Sequence, residues 1–276
     1  MKKSILVISQ YFWPEKFHIN DVCVELKNIG HNVQVLTGKP NYPKGKVFKG
    51  YKKENVKIEK YKNICVYRVP LKPRVNSTKF DLIKNYFSFI YNGIIYGSRF
   101  KLEKFDKILF YGTSPILSAI PAIILKFIYG KKLIIWVQDL WPQSIVATGY
   151  VKSKILLYII NLIVKIIYAF SDKILIQSKS FKKYISNQAP KKKIIYYPNS
   201  FKEPNLKIIL KSNHRDLLKK NYCITFAGNI GRAQNLESLL LASKNLEKLN
   251  KLKILILGEG SDKKKILNIL KKKKIK

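Results

Sequence analysis

Short apolar runs alternate with longer amphipathic stretches over most of the chain, and polar loops separate them. The runs are rich in isoleucine and valine, which is typical of buried strands in parallel sheets. The predicted strands are Ile5–Ile8, Val33–Leu36, Ile64–Val69, Ile108–Tyr111, Leu133–Val137, Ile174–Ile176 and Ile194–Tyr197. The predicted helices between them are Ile19–Ile29, Lys79–Leu102, Ile116–Tyr129, Ser153–Phe170 and Ser180–Asn187. This alternation predicts an α/β fold whose parallel sheet is covered on both faces.

A stretch without periodicity, Tyr196–Asn205, interrupts the pattern and predicts a linker. The alternation then resumes with strand Cys223–Gly228, helix Leu236–Leu249, strand Lys253–Gly258 and helix Asp262–Leu270. We therefore predict one Rossmann-like domain over residues 1–200 and a second over residues 201–276. Two strand–helix units cannot cover a sheet on both faces. The second domain is expected to be incomplete and less stable, with the apolar faces of Leu239–Leu241 and Ile254–Leu257 partly uncovered.

The net charge of +38 arises from 54 basic and 16 acidic residues among 276. Only five of the basic residues are arginines, and lysine, isoleucine, asparagine and tyrosine are all abundant, so an A/T-rich genome explains much of the lysine. The low acidic count leaves two interpretations open. Either the lysines are scattered and solvated, or a cationic face meets an anionic membrane or substrate.

The amino-terminal apolar run is too short for a signal peptide, and no stretch is long and uncharged enough to span a membrane. The three cysteines are far apart, which disfavours a disulfide framework or a zinc site. A cytoplasmic protein is therefore expected. Helical stretches Lys79–Leu102 and Ser153–Phe170 carry aromatic residues and isoleucines beside lysines. They are either an interfacial surface that binds the inner face of the membrane or buried core helices.

Polar residues follow the predicted strands, at the edge of a parallel sheet where ligands bind. They include "QYFWPEKFHINDV" after the first strand, "GTSP" after Ile108–Tyr111 and "QDLWP" after Leu133–Val137. Asp139 in the last segment has two interpretations. It is a site residue in a pocket walled by tryptophans, or an N-terminal cap for the next helix.

A second candidate site is the turn "FAGNIGRAQNLESLL", in which a strand leads through Gly228 and Gly231 into a helix. Such a turn can present backbone N–H groups and a helix N-terminus to an anion. Arg232 and Gln234 add side-chain donors that suit a phosphate. The glycines alone are weak evidence, since tight turns need glycine in any case.

Taken in order, these segments resemble a known enzyme family. "YFWPEKFHINDV", "WVQDLWPQS", "ILIQSKSF", "YYPN", "FAGNIGRAQNLESLL" and "ILGEGS" are similar to bacterial family-4 glycosyltransferases of the GT-B fold. The resemblance is to the subgroup that builds surface polysaccharide such as O-antigen or capsule, including N-acetylfucosaminyl transferases. It covers essentially the whole chain.

The resemblance implies a complete N-terminal Rossmann-like domain that takes the acceptor and the first part of a second that takes a nucleotide sugar. It implies transfer with retention of configuration, from a UDP-linked N-acetylated sugar to a lipid-linked saccharide, without a metal or another cofactor. Asp139 and His18 are implied as catalytic. The implied donor-binding residues are Glu15, Asn20, Gly228, Asn229, Gly231, Arg232, Gln234 and Glu259.

Two features depart from the family pattern. His18 stands where relatives commonly have arginine, so a fixed cation is replaced by a group that titrates near neutrality. The family also places two glutamates seven residues apart to hold the ribose and the donor sugar, and this chain has no such pair. The lysine-rich end, "KKKKIK", is expected to mark a truncated or frameshifted reading frame, and the chain alone is expected to be inactive.

Three functions therefore compete. The first is a glycosyltransferase, and the second is a non-catalytic remnant or binding module that keeps only the acceptor-side domain. The third is a nucleic-acid-binding protein, suggested by charge alone. It lacks an arginine cluster and an aromatic RNA-binding motif, so no nucleic-acid partner is expected.

Overall fold

The computed structural model describes residues 2–43, 45–52, 56–74, 78–100, 102, 104–149, 151, 153–201 and 212–273. The chain divides into two compact units. Unit 1 comprises Met1–Gln143 and Lys152–Ser200, and unit 2 comprises Ser144–Val151 and Phe201–Lys276. The predicted linker Tyr196–Asn205 lies partly outside the described residues, as does the end of the lysine-rich tail.

Unit 1 is built on a single eight-stranded sheet. Its strands are β1 (Ser4–Ile8), β2 (Asn32–Gly38), β3 (Lys57–Tyr61), β4 (Ile64–Val69), β5 (Lys107–Gly112), β6 (Lys132–Val137), β7 (Lys173–Ile176) and β8 (Ile194–Tyr196). Their order is β3-β4-β2-β1-β5-β6-β7-β8. All neighbours are parallel except β3, which pairs antiparallel with β4. The α/β fold with a parallel sheet is confirmed.

The helices of unit 1 follow the predicted stretches closely, and the seven predicted strands are all present. These α-helices are α1 (His18–Asn28), α2 (Lys79–Arg99), α3 (Ile120–Tyr129), α5 (Lys154–Phe170) and α6 (Phe181–Ile185). Helix α4 (Gln143–Thr148), which was not predicted, belongs to unit 2 from Ser144 onwards. The predicted helix Ile116–Tyr129 is two pieces, a 3-10 turn over Ile116–Ala119 and then α3. Pro121 lies in the first turn of α3, where a missing N–H costs nothing.

Strand β3 is the element of the sheet that the hydrophobic pattern did not predict. Its sequence, KIEKY, is polar because it forms the edge of the sheet and Ile58 faces solvent. Lys62 and Asn63 turn the chain back into β4 with positive φ angles of 46° and 63°. A hairpin at an edge needs little apolar burial, so it leaves a weak sequence signal.

Unit 2 contains two parallel strands, β9 (Tyr222–Ala227) and β10 (Leu252–Leu257), with helices α7 (Ser212–Lys220), α8 (Leu236–Ser243) and α9 (Lys263–Lys273). Ile230, Leu236, Leu240 and Ile266 form its small core. Of the two segments expected to be partly uncovered, Leu241 and Leu257 are exposed, whereas Leu240 is buried and Leu239 and Ile256 pack against the core. None of the helices in the described ranges is long and apolar enough to cross a membrane.

Candidate functional site

The sheet of unit 1 has one topological switch point, between β1 and β5. From β1 the chain moves to β2 on one side, and β5 to β8 extend on the other. The loops that leave the carboxyl ends of β1 and β5 therefore diverge, and this is where α/β proteins bind ligands. The residues that follow β1, β5 and β6 meet at this edge of the sheet.

Asp139 links the ends of β5 and β6. Its Oδ2 atom accepts hydrogen bonds from the backbone N–H of Ser114 at 2.9 Å and from the Ser114 hydroxyl at 2.8 Å. The indole N–H of Trp141 donates to the same hydroxyl oxygen at 3.1 Å. Helix α4 begins four residues beyond Asp139, so these bonds fix the carboxylate against the neighbouring strand rather than at that helix.

His18 begins α1 and packs against Trp136, with 5.7 Å between ring centroids. Trp136 on β6 also contacts Tyr111 on β5, with 5.5 Å between ring centroids. The rings of His18, Trp136 and Tyr111 therefore lie side by side at this edge of the sheet. Partial burial lowers the pKa of His18, while nearby Asp21 opposes the shift. The imidazole is therefore mostly neutral at pH 7 and does not replace the fixed positive charge of an arginine.

Three buried polar atoms at this edge have no hydrogen-bond partner among the atoms that the structure describes. They are His18 Nε2, Thr113 Oγ1 and Gln138 Nε2. Buried polar groups are nearly always paired, so a cluster of unpaired ones indicates a place that a ligand or water completes. Thr113 and Gln138 each come directly after the last residue of a strand. Only their position in "GTSP" and "QDLWP" indicated this from the sequence.

Glu15 and Asn20 hold the loop after β1 in place. The buried Glu15 carboxylate accepts backbone N–H groups of Asn41 at 2.8 Å, Tyr42 at 2.6 Å and Phe12 at 3.3 Å. Asn20 accepts from the Trp13 N–H at 3.0 Å and donates to the Glu15 carbonyl at 2.7 Å. Burial raises the pKa of Glu15 to about 7, although these N–H donors lower it. Both side chains shape the loop that presents His18.

Arg74 is a further candidate that the sequence did not single out. Its guanidinium lies 5.7 Å from the ring centroid of Tyr11 and 5.4 Å from that of Tyr42. Its Nε and Nη2 atoms are buried and have no hydrogen-bond partner among the described residues, and the same holds for Gln10 Oε1. Nε and Nη2 together form the side-on fork that binds carboxylate or phosphate in a bidentate manner.

The two strand-end loops of unit 2 dock backbone against backbone. The Gly228 N–H donates to the Leu257 carbonyl at 2.9 Å, and the Ile230 N–H to the Glu259 carbonyl at 2.8 Å. A Cβ on Gly258 would lie 1.8 Å from the Gly228 oxygen, and a Cβ on Gly260 2.2 Å from the Ile230 oxygen. The glycines are therefore needed for this approach. The N–H of Gly228 is engaged and does not point at a ligand.

The other predicted donor-side residues are at the surface of unit 2. Asn229, Arg232 and Gln234 are exposed, and Glu259 pairs with Lys263 at 2.5 Å. A cavity of about 330 Å³ is lined by Gly231 and Arg232 together with Lys265 of α9, which pairs with Glu237. Lys265 was not predicted as a site residue, because lysine is too frequent in this chain to be a signal. No group of three metal-binding side chains occurs among the described residues.

Comparison with known proteins identifies the fold of this chain through solved structures alone. No protein-family model matches the chain, and no curated protein matches its sequence. Solved structures do match, and the fold is that of GT-B glycosyltransferases. An alpha,alpha-trehalose-phosphate synthase (UDP-forming) from Burkholderia vietnamiensis aligns with 99% of this chain and 67% of its own, at 12% identity and a TM-score of 0.59.

Two further solved structures match the fold of this chain. Arabidopsis thaliana UGT89C1 complexed with UDP-L-rhamnose aligns with 93% of this chain and 64% of its own, at 12% identity and a TM-score of 0.56. A mutant of S. aureus TarM in complex with fondaparinux, alpha-GlcNAc-glycerol and UDP aligns with 99% of this chain and 76% of its own, at 12% identity and a TM-score of 0.56. The chain spans about two thirds of the length of the first structures it matches. The expected fold, one Rossmann-like domain and part of a second, is confirmed.

Proposed function

We propose that this chain is a retaining glycosyltransferase, or part of one, that moves a sugar from a nucleotide-sugar donor to a lipid-linked saccharide. The donor we propose is a UDP-linked N-acetylated sugar, and the product serves surface polysaccharide synthesis on the inner face of the cell membrane. The observation that supports this most is the set of unpaired buried polar atoms at the switch point of a GT-B-type sheet. A site of this kind suits a ligand rich in hydroxyl groups.

On the acceptor side, we assign the reacting centre to the edge that carries Asp139 and His18. Glycosyl transfer develops positive charge on the sugar ring, and a carboxylate fixed in advance stabilises that charge. Ser114 fixes the carboxylate in place, because it donates two hydrogen bonds to Asp139 Oδ2. The neutral His18 imidazole offers Nε2 to a hydroxyl of the acceptor, and Thr113 and Gln138 offer further polar atoms.

On the donor side, we assign the diphosphate to the cavity beside Gly231 and Arg232. A departing diphosphate carries negative charge that needs cations and N–H donors. Arg232 supplies a cation, Lys265 supplies a second one that it shares with Glu237, and the amides of Asn229 and Gln234 lie in the same turn. Gly228 and Glu259 contribute through the backbone, since their peptide groups join the two loops.

Arg74 extends the proposal to an anionic part of the acceptor. Its unpaired fork lies beside the loop that follows β1, and a phosphate or carboxylate would satisfy both N–H groups at once. A lipid-linked saccharide joined through phosphate has such a group.

A non-catalytic binding module remains the second candidate. The observation that favours it is that the unpaired buried atoms His18 Nε2, Thr113 Oγ1 and Gln138 Nε2 all belong to unit 1. Such a module would bind an acceptor in unit 1 and transfer nothing.

The experiment combines hydrogen exchange and transfer on the purified chain. A membrane lipid extract that contains lipid-linked saccharides is expected to protect segments 10–18, 111–115 and 136–142, and radiolabelled UDP-sugars test transfer. Transfer selects the transferase, whereas protection without transfer is the result expected both of a binding module and of part of a transferase. If RNA protects the chain from hydrogen exchange and the lipid extract does not, both candidates are contradicted.

A further inference from the structure

The outward face of α5 is apolar, although the surface face of a helix is normally polar. Large side chains occur there at intervals of three or four residues, and Ile155 and Tyr158 are 75% and 71% exposed. The opposite face is buried through Val164, Ile167 and Tyr168, so α5 packs on unit 1 with one side only. The exposed row, which we term the α5 ridge, comprises Ile155, Tyr158, Ile159, Leu162, Ile166 and Phe170.

The ridge continues onto the end of α3. The ring of Phe127 meets that of Phe170 edge to face, with 5.5 Å between centroids, and Phe127 and Ile128 are both exposed. Single exposed apolar residues are ordinary, but a continuous row on two helices is not. Such a surface costs free energy in water and indicates a partner that covers it.

The charges that α5 itself carries are both positive. Lys154 and Lys165 are its only charged residues, and both are exposed. Beyond the end of α5, the Asp172 carboxylate is paired with Lys126 at 2.8 Å. The two lysines of α5 are eleven residues apart, about three helical turns, so they lie on the same flank of the ridge. The chain as a whole carries +38. A second copy of the chain would bring like charges together, whereas an anionic surface would neutralise them.

We propose that the α5 ridge docks on an anionic lipid bilayer, and this rests on the peripheral location proposed above. The apolar side chains enter the boundary between headgroups and acyl chains, and the lysines pair with lipid phosphates. The helix lies on the bilayer and does not cross it, since no helix in the described residues is suited to spanning.

The position of the ridge suits a lipid-linked acceptor. Helix α5 joins β6 to β7, which are parallel, so its N-terminal end lies towards the carboxyl edge of the sheet. It also contacts the 3-10 turn that follows Ser114 and Pro115. Docking through Ile155 and Tyr158 therefore brings the bilayer to the same edge as Asp139.

The test is vesicle sedimentation of the purified chain with phosphatidylglycerol-containing and with neutral phosphatidylcholine vesicles, over a salt series. Ile155→Gln, Ile159→Gln and Leu162→Gln together remove the apolar row without changing charge. A matched control replaces exposed apolar residues elsewhere, Ile29→Gln, Ile58→Gln and Leu249→Gln. A second pair compares Lys154→Gln/Lys165→Gln with Lys60→Gln/Lys248→Gln.

We expect wild type and both controls to bind anionic vesicles, with binding that weakens as salt rises. The ridge variant is expected to bind at least about tenfold more weakly, and the lysine variant to lose most of the salt dependence. Melting temperatures establish that the variants are folded. Equal binding by ridge variant and control would overturn the proposal, as would a dimer of the wild type that the ridge variant alone dissociates. Docking by a chain that transfers no sugar still supports the ridge, so failure of the ridge proposal and failure of the transferase proposal are distinguishable.

Discussion

Asp139 and Ser114 join the ends of two neighbouring strands through two hydrogen bonds to one carboxylate oxygen. The pair lies next to the switch point of the sheet, beside the Trp136 and Tyr111 rings. Burial raises the pKa of Tyr111, and the Asp139 charge adds to the shift. A carboxylate in that position is held by the protein before any ligand arrives, which is the arrangement that electrostatic catalysis requires.

Asp139→Asn is expected to lower turnover by about a hundredfold or more in a transfer-competent form of the protein, because the charge is lost. Ser114→Ala keeps the carboxylate and one N–H bond, so it should lower turnover by only about tenfold. Each change should cost about 1 kcal/mol of stability. Turnover and melting temperature measured on both variants check this. Equal activity of Asp139→Asn and wild type would assign Asp139 a purely structural role.

Glu15 is expected to make stability depend on pH. Burial raises its pKa from 4.5 to about 7 in the folded protein. Between those values the folded state holds a proton that the unfolded state has released, so this contribution is complete below pH 4.5 and disappears as pH rises to about 7. Glu15→Gln should flatten that part of the pH profile of the melting temperature, whereas Glu247→Gln at an exposed site should not.

Glu15→Ala tests the hydrogen bonds rather than the charge. It leaves the Asn41 and Tyr42 N–H groups without their acceptor, and we expect a loss of about 2–4 kcal/mol. Glutamine keeps an acceptor oxygen and should cost less. If alanine and glutamine cost the same in urea unfolding, the loop is not held by this side chain.

Arg74 is expected to bind a phosphate group of the acceptor through its fork. Arg74→Lys keeps the charge but loses the bidentate geometry, so inorganic phosphate should bind about tenfold more weakly in calorimetry. Arg99→Lys at an exposed position is the control and should bind as wild type does. Unchanged affinity in Arg74→Lys would mean that the two buried donors are not a ligand site.

Gly258→Ala is expected to separate the two loops of unit 2. The new Cβ would lie 1.8 Å from the Gly228 oxygen, so the Gly228–Leu257 hydrogen bond has to break. We expect a loss of about 2 kcal/mol or more and faster amide exchange in β9 and β10. Gly228→Ala meets its nearest neighbour at 3.4 Å, which is an ordinary contact, and should cost about 1 kcal/mol or less. Similar exchange in both variants would contradict this packing.

The elements that bury apolar residues on both sides were predictable from the sequence, and the polar ones were not. The central strands, such as Leu133–Val137, are continuous apolar runs because both faces of the sheet are covered. Edge strand β3, with the sequence KIEKY, has only two apolar residues among three charged ones and gave no comparable signal. The site residues divide in the same way into predictable and unpredictable ones. Strand ends located Asp139, but the unpaired atoms of Arg74 and Gln138 depend on side chains from distant segments, which periodicity cannot bring together.

The central claim is that this chain binds a nucleoside diphosphate at the turn after β9. A UDP titration followed by hydrogen exchange tests it most directly. UDP at millimolar concentration is expected to protect residues 229–236, and Arg232→Gln should abolish the protection while Arg215→Gln preserves it. Binding is expected to be weak, because this turn supplies phosphate contacts only. Protection of residues 229–236 that persists in Arg232→Gln, or no protection by UDP in the wild type, would contradict the account.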